Sequence, residues 1–205
     1  ARLHPETLSM SLGFDPFLSE GAVKPPVFLT STFAFRKAED GKKFFAWARG
    51  EGGAPTGKHQ AGLIYSRFNN PNLEIFEDRV AMWEGMKGAC SFSSGMAAIS
   101  TAILATHAPG DEVIVTAPLY GGTETFMRGV LAKFCIVCRF IHAGVDAVAE
   151  ARAQLGPRTR SLFVETPANP NNRLTDLAAM KELAAAHVRA DGAPVLVMVD
   201  NTMAG

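Results

Sequence analysis

The sequence lacks a net charge, because 20 lysines and arginines balance 20 aspartates and glutamates in 205 residues. Proteins that bind nucleic acid or a membrane surface usually carry an excess of basic side chains, so this balance argues against both functions. The expected partners are small molecules or other subunits.

Long apolar runs are also missing. No run approaches the roughly 18 residues that a membrane-spanning helix needs. The stretch "ARLHPETLSM" has no apolar segment typical of a signal peptide. A cytoplasmic location is therefore the default expectation. The hydrophobic content of 47% is nevertheless sufficient for a buried core.

Cysteine is scarce, with only Cys90, Cys135 and Cys138 in the sequence. An odd number in a chain of this size favours a reducing compartment over a disulfide framework. Cys135 and Cys138 form a C-x-x-C motif with His142 nearby. The surrounding "CIVCRFI" is typical of a strand, in which residues three apart point to opposite faces. We therefore expect two buried, unreactive cysteines and no metal site.

Two nucleotide-binding motifs are absent or incomplete. "GGAPTGKH", residues 52–59, contains G-x-x-x-x-G-K, but no hydroxyl residue follows the lysine and no helix pattern begins there. The G-x-G-x-x-G motif of dinucleotide-binding proteins does not occur. A nucleoside triphosphatase and a dehydrogenase are therefore both disfavoured.

From Asn70 onward, predicted helices alternate with short apolar strands. The pattern predicts a mainly parallel sheet with helices on both faces, an α/β fold. The predicted helices cover residues 70–85, 93–107, about 122–133, 146–155 and 176–187. The predicted strands are "ACSF", "DEVIVTAP", "CIVCRFI", "SLFVE" and "VLVMV". The first helix has Leu73, Phe76, Val80 and Trp83 on one face. The earlier residues read as an arm followed by a long loop, 36–63, with only an aromatic turn at "KKFFAWA".

Polar residues follow several of the predicted strands. "VLVMV" reads as a strand buried on both faces, and Asp200 stands at its carboxyl end, the edge where open α/β sheets bind ligands. Tyr120 follows "DEVIVTAP", where an aromatic ring can stack on a planar ligand. Glu165 ends "SLFVE" and Asn169 follows it, with Pro167 fixing the turn between them.

The stretch "FSSGMAAI" combines hydroxyl groups with the start of a predicted helix, a combination suited to a phosphate. The simpler interpretation, that Ser94 only caps the helix, remains open. In "IYSRFNNP", Tyr65 and Arg67 would share one side of an extended backbone and could reach one oxyanion. These features together indicate a flat, cationic, phosphorylated ligand. Pyridoxal phosphate fits, with Asp200 keeping its pyridine nitrogen protonated.

Five motifs in order, "YSRFNNPN", "SSGMAAI", "PLYGGT", "ETPANP" and "VDNT", closely resemble the Cys/Met-metabolism family of pyridoxal-phosphate enzymes. The family includes cystathionine γ-synthase, cystathionine γ-lyase, methionine γ-lyase and the O-acylhomoserine sulfhydrylases. The resemblance begins at "LHPETL" and "PPVFLTSTFAF" and covers nearly the whole chain. It implies the aspartate-aminotransferase-like fold (fold type I) and tetramers built from dimers.

The resemblance also implies a set of cofactor contacts. Tyr65 and Arg67 would bind the phosphate of the neighbouring subunit's cofactor, and Gly95 and Met96 would offer backbone N–H groups beside Ser94. Tyr120 would stack on the ring, and Asn169 would lie near its phenolic oxygen. Asp200 would pair with the ring nitrogen, and Thr202 would complete the set. By the same resemblance, Tyr120 and Asp200 are the expected catalytic residues, and no metal is implied.

The sequence departs from the family pattern in two places. The loop before Tyr65 looks longer than the family norm. The family's Schiff-base lysine stands in a Ser-x-Thr-Lys context, and none of the eight lysines here has that context. We therefore expect residues 1–64 to form an arm and long loop, and residues 65–205 to form the first part of a cofactor-binding domain whose lysine lies beyond Gly205.

The resemblance implies γ-elimination or γ-replacement on sulfur amino acids or activated homoserine. Methionine γ-lyase and O-acylhomoserine sulfhydrylase activities remain alternatives. Methionine γ-lyases often carry a cysteine two residues after the motif tyrosine, whereas Gly122 stands there in this sequence. A non-catalytic structural or interaction module is the alternative outside enzymology.

Overall fold

The computed structural model of the chain describes residues 3–51 and 62–204, which fall into two units, Ala1–Ser91 and Phe92–Gly205. The P-loop-like stretch, residues 52–59, lies outside the described residues. In the part of the chain that the structure describes, no helix is long and apolar enough to cross a membrane. The predicted division at residue 65 stays a prediction.

In the N-terminal unit, residues 3–51 and 62–91 form three α-helices and a short 3-10 turn. They are α1 (Pro5–Ser11), the 3-10 turn Pro16–Ser19, α2 (Ala38–Ala48) and α3 (Pro71–Trp83). The Asn72 side chain joins the start of α3 to the segment before it, because it accepts from Phe28 N at 2.8 Å and donates to Pro26 O at 2.8 Å. This pair of bonds fixes where the N-terminal segment passes α3.

Helix α2 corrects the prediction that residues 36–63 hold no regular element beyond an aromatic turn. Glu39 and Asp40 lie in its first turn, where acidic side chains stabilise the positive end of the helix dipole. Phe44 is buried and contacts the ring of Trp47 edge-on, with centroids 5.5 Å apart. The helix was missed because it buries a single aromatic residue, which leaves little periodic signal in the sequence.

Helix α3 begins as predicted, since the Asn70 side chain accepts from Asn72 N at 2.9 Å. The prediction that Leu73, Phe76, Val80 and Trp83 form the buried face of α3 is wrong within this chain. The residues that α3 buries are Ile75 and Ala81, and α1 packs against this helix. Three of the four predicted face residues are exposed, namely Leu73, Phe76 and Trp83.

The C-terminal unit is built on a four-stranded sheet whose order is β2-β1-β3-β4 and whose described pairs are all parallel. The strands are β1 (Glu112–Ala117), β2 (Val137–His142), β3 (Thr159–Glu165) and β4 (Leu196–Asp200). The helices are α4 (Gly95–Thr106), α5 (Gly121–Thr125), α6 (Ala147–Gln154) and α7 (Leu177–Ala186). The predicted α/β class is confirmed. The predicted helix at about 122–133 is one helical stretch, in which α5 passes into a π turn, Phe126–Val130, and a 3-10 turn, Leu131–Phe134.

Apolar side chains leave the sheet on both faces, as strand alternation requires. On one face, Ile114 and Leu162 pack with residues of α6 and α7, including Ala151 and Met180. On the other face, Val113, Val115 and Phe163 pack with α4 and the helical stretch that follows β1. Helices therefore cover both faces, which confirms the predicted layers.

Two strand predictions need correction. "ACSF", residues 89–92, forms no strand in the structure, because it pairs with none of the strands that the described residues form. The prediction that β4 is buried on both faces is also wrong here. β4 lies at an edge of the sheet that the described residues form, and Val199 is 43% exposed.

The two C-x-x-C cysteines differ in environment. Cys135 is exposed and has a left-handed backbone conformation, φ 57°, before β2 begins. The prediction that both cysteines lie buried in one strand is therefore wrong for Cys135. Cys138 is half-buried, its Sγ lies 3.9 Å from Met127 Sδ, and burial raises the pKa of its thiol to about 11. Within residues 3–51 and 62–204, no cluster of three or more His, Cys, Asp and Glu side chains could hold a metal ion.

Candidate functional site

A cavity of about 640 Å³ opens at the carboxyl edge of the sheet in the C-terminal unit. Parallel strands bring their carboxyl ends to one edge, so residues distant in sequence meet there. The lining includes seven of the residues singled out in the sequence: Ser94, Gly95, Met96, Tyr120, Asn169, Asp200 and Thr202. Their common location supports the predicted set, although their individual roles stay predictions.

The amino end of α4 supplies one wall of the cavity. The Ser94 side chain caps the helix by accepting from Ala97 N at 3.1 Å. Because the first N–H groups of a helix have no acceptor within it, those of Gly95 and Met96 are suited to an anion. A Cβ at Gly95 would meet no atom within 4 Å, so the approach to this helix end is open. The capping role of Ser94 therefore leaves the Gly95 and Met96 N–H groups for the predicted anion.

Tyr120 stands immediately before α5, and its side chain is half-exposed at the cavity. The neighbouring Gly122 has no side chain, and this absence leaves room for the ring. A Cβ placed at Gly122 would lie 2.7 Å from Tyr120 Cε1 and 3.1 Å from Met96 Sδ. The sequence did not reveal this dependence of the ring position on Gly122.

Asp200 is the last residue of β4 and is partly buried. Its Oδ1 accepts from Thr202 N at 3.1 Å and from Thr202 Oγ1 at 2.6 Å. Among the residues that the structure describes, Oδ2 has no hydrogen-bond partner. Thr202 thus orients the carboxylate and leaves one oxygen available for a cationic group.

Glu165 also lines the cavity, and sequence reasoning gave it no role. It is the last residue of β3 and pairs in register with Asp200. Its carboxylate is buried and accepts from Tyr120 N and Asn169 N. The only sequence signal was a carboxylate at the end of a strand, the same signal that pointed to Asp200.

Tyr65 and Arg67 belong to the N-terminal unit. The prediction that they share one side of an extended backbone is wrong, because the chain turns at Tyr65, whose carbonyl accepts from Phe68 N at 2.8 Å. The two side chains nevertheless meet, since the Arg67 guanidinium lies 5.6 Å from the Tyr65 ring centroid and 4.4 Å from that of Phe68. Their contact with a neighbouring subunit's cofactor stays a prediction.

The cavity has three groups that suit pyridoxal phosphate. An open helix start suits its phosphate, and a half-exposed tyrosine suits its ring. The Asp200 oxygen that has no partner among the described residues suits its protonated nitrogen. The residues present therefore fit this cofactor.

Known proteins resemble the chain along almost its full length. The L-methionine gamma-lyase of Pseudomonas deceptionensis is 38% identical over 196 residues, which are 96% of this chain and 45% of that protein. The homocysteine synthase of Schizosaccharomyces pombe is 31% identical over 202 residues, 98% of this chain and 43% of that protein. The chain therefore spans less than half the length of these curated relatives.

Two solved structures share the fold. The metB protein of Corynebacterium glutamicum superposes with a TM-score of 0.76 at 28% identity, over 97% of this chain and 45% of that one. The metY protein of Campylobacter jejuni, whose structure contains a pyridoxyl-lysine monophosphate, superposes with a TM-score of 0.81 at 24% identity, over 98% of this chain and 44% of that one. These likenesses confirm the expected fold of pyridoxal-phosphate enzymes.

The model of one protein family matches residues 6–205, and its description is Cys/Met metabolism PLP-dependent enzyme. The match includes every residue of the cavity and both residues of the Tyr65–Arg67 pair. The cofactor of this family is the one that the cavity fits. The chain therefore belongs to the Cys/Met metabolism family of pyridoxal-phosphate-dependent enzymes.

Proposed function

We propose that the whole protein catalyses pyridoxal-phosphate-dependent γ-elimination or γ-replacement on sulfur amino acids or activated homoserine. The observation that carries this proposal is the cavity at the carboxyl edge of the sheet, where the start of α4, the Tyr120 ring and the Asp200 carboxylate lie together in a chain of this family.

Each cavity residue has a distinct role in this proposal. The N–H groups of Gly95 and Met96, with Ser94, bind the phosphate. Tyr120 stacks on the ring and holds it in one plane. The Asn169 amide bonds the phenolic oxygen. Thr202 holds the Asp200 carboxylate in place.

The chemistry depends on Asp200. Bound pyridoxal phosphate supplies an electron sink for the negative charge that forms when a substrate proton is removed. Asp200 keeps the proton on the pyridine nitrogen, because a carboxylate next to a cation favours the charged form of that cation. The apolar wall formed by Ile99, Phe163 and Met198 limits water at the ring.

The neighbouring subunit is part of the proposal. Tyr65 and Arg67 contribute to the phosphate site of the partner's cofactor, and the protein forms a homotetramer as a dimer of dimers. The Arg67 side chain is exposed in this chain, which is consistent with a contact made elsewhere.

Methionine γ-lyase activity is the second candidate, and it is favoured by similarity to proteins of that name, with up to 38% identity. Methionine γ-lyases often have a cysteine at the position that Gly122 occupies here. Because this difference disfavours that activity, substrate preference needs a direct test.

The test uses the whole protein, purified and titrated with pyridoxal phosphate while its absorption is followed. Cystathionine, methionine, and O-acetylhomoserine with sulfide are then supplied in separate assays. Release of 2-oxobutyrate indicates γ-elimination, and formation of homocysteine from O-acetylhomoserine indicates γ-replacement. If the protein binds no cofactor and forms neither product, the proposal is refuted and a non-catalytic interaction module is favoured.

A further inference from the structure

Glu165 ends β3 with its side chain almost inaccessible to water, at 3% exposure. Its backbone is fixed to the neighbouring strand, because Glu165 N donates to Thr116 Oγ1 at 3.1 Å. A carboxylate in such a position costs free energy unless hydrogen bonds replace its lost hydration. The identity of its hydrogen-bond donors is therefore informative.

The donors are the backbones of two cavity residues. Tyr120 N donates to Oε2 at 3.0 Å and to Oε1 at 3.2 Å, and Asn169 N donates to Oε1 at 2.8 Å. Tyr120 follows β1, whereas Asn169 follows β3. One buried carboxylate thus joins the two connections that carry Tyr120 and Asn169 into the cavity.

We propose that Glu165 is a positioning residue for the cofactor ring: by accepting both N–H groups it fixes where the Tyr120 ring and the Asn169 amide stand in the cavity. This inference rests on the proposed function for the roles of Tyr120 and Asn169. Glu165 acts through these two residues and makes no contact of its own with the cofactor in this proposal.

Glu112 provides a matched control. It is equally buried, at 3% exposure, but it begins β1 at the other end of the sheet. Its carboxylate accepts from the side chains of Arg139 and Arg158, at 3.0 Å each for the closest contacts. Removing Glu112 therefore disturbs a buried carboxylate without touching either cavity connection.

The experiment compares Glu165→Ala, Glu165→Gln, Glu112→Ala and Glu112→Gln in the whole protein. Three quantities are measured: amide hydrogen exchange at Tyr120 and Asn169 without cofactor, affinity for pyridoxal phosphate, and circular dichroism in the cofactor absorption band. In Glu165→Ala we expect about tenfold faster exchange at both amides, because each N–H loses its acceptor, and about tenfold weaker binding with reduced dichroism. Glu165→Gln keeps one acceptor oxygen, so it should restore part of each loss.

The Glu112 variants should unfold more easily but keep normal exchange at Tyr120 and Asn169 and normal cofactor dichroism. We call the hydrogen bonds from Tyr120 N and Asn169 N to the Glu165 carboxylate the clamp. Unchanged exchange in the Glu165 variants would overturn the clamp itself. Faster exchange with unchanged affinity and dichroism would overturn its positioning role. If the unaltered protein binds no pyridoxal phosphate, the proposed function and the positioning role both fail, and the exchange data alone decide whether the clamp exists. If Glu165→Ala does not fold, Glu165→Gln carries the same comparison with smaller effects.

Discussion

Replacing Asp200 tests the cation site directly. Asp200→Ala removes the Oδ1 that Thr202 orients and also Oδ2, which has no hydrogen-bond partner among the described residues. A hydrogen bond to a charged group contributes roughly 1.5 to 3 kcal/mol, so cofactor affinity should fall by between about tenfold and somewhat over a hundredfold. Turnover should fall further, because an unprotonated ring is a poor electron sink.

Two further variants separate the role of Asp200 from a structural effect. Thr202→Val removes the 2.6 Å hydroxyl bond but keeps the backbone N–H, so it should weaken cofactor binding by about 1 kcal/mol, roughly fivefold. Asp176→Ala removes the cap of α7, where Oδ1 accepts from Ala179 N at 2.9 Å. It should lower the free energy of unfolding by about 1 kcal/mol and leave the cofactor unaffected.

The assays are cofactor titration followed by absorbance, rate of product formation, and urea unfolding of each variant. The Asp176→Ala variant should bind the cofactor most tightly, Thr202→Val less tightly, and Asp200→Ala most weakly. Near-normal turnover in Asp200→Ala, or the same loss of affinity in Asp176→Ala, would refute the role of Asp200 as the partner of the ring nitrogen.

Three other predictions concern different parts of the chain. Gly122→Ala should force the Tyr120 ring to move and weaken cofactor binding, whereas Gly121→Ala, whose Cβ would meet no atom within 4 Å, should not; equal affinities in the two variants would contradict this. If Arg67 binds the cofactor phosphate of a neighbouring subunit, Arg67→Ala should weaken cofactor affinity by roughly ten- to a hundredfold. A protein that is monomeric by light scattering and fully active in the enzyme assay would exclude that role. Burial lowers the pKa of His107, so below about pH 6.5 the unfolded chain binds a proton that the folded chain excludes. As the pH is lowered below about 6.5, the free energy of unfolding should therefore fall by up to about 1.4 kcal/mol per pH unit. Urea unfolding of His107→Gln should show a smaller change in this free energy over the same pH range.

Much of the C-terminal unit could be predicted because its signals are local. β1 contains consecutive Val and Ile residues, a composition typical of a buried parallel strand, and all six of its residues are buried or nearly so. The Asp176 cap marks the start of α7. In the N-terminal unit, the Asn70 cap marks the start of α3 in the same way. Each signal depends on a few adjacent residues, so a single sequence is sufficient.

The errors arose where structure depends on distant partners. The exposed face of α3 was predicted to be buried because periodicity shows which residues share a face but not which face has a neighbour. The role of Gly122 depends on the position of the Tyr120 ring, and that of Cys135 depends on where β2 begins. The spacing of residues along the sequence indicates none of these relationships.

The two carboxylates at the end of the sheet show how packing divides roles that the sequence leaves equivalent. Glu165 and Asp200 both follow apolar strand residues, and they are register neighbours on β3 and β4. Sheet order places the end of β1 beside Glu165, so backbone N–H groups of Tyr120 and Asn169 occupy both of its oxygens. Asp200 lies one strand further from β1, and among the described residues its carboxylate accepts only from Thr202, through Oδ1. Among the residues that the structure describes, Asp200 is the one of this pair with a carboxylate oxygen that accepts no hydrogen bond. We therefore expect strand order to determine which carboxylate can meet the ring nitrogen.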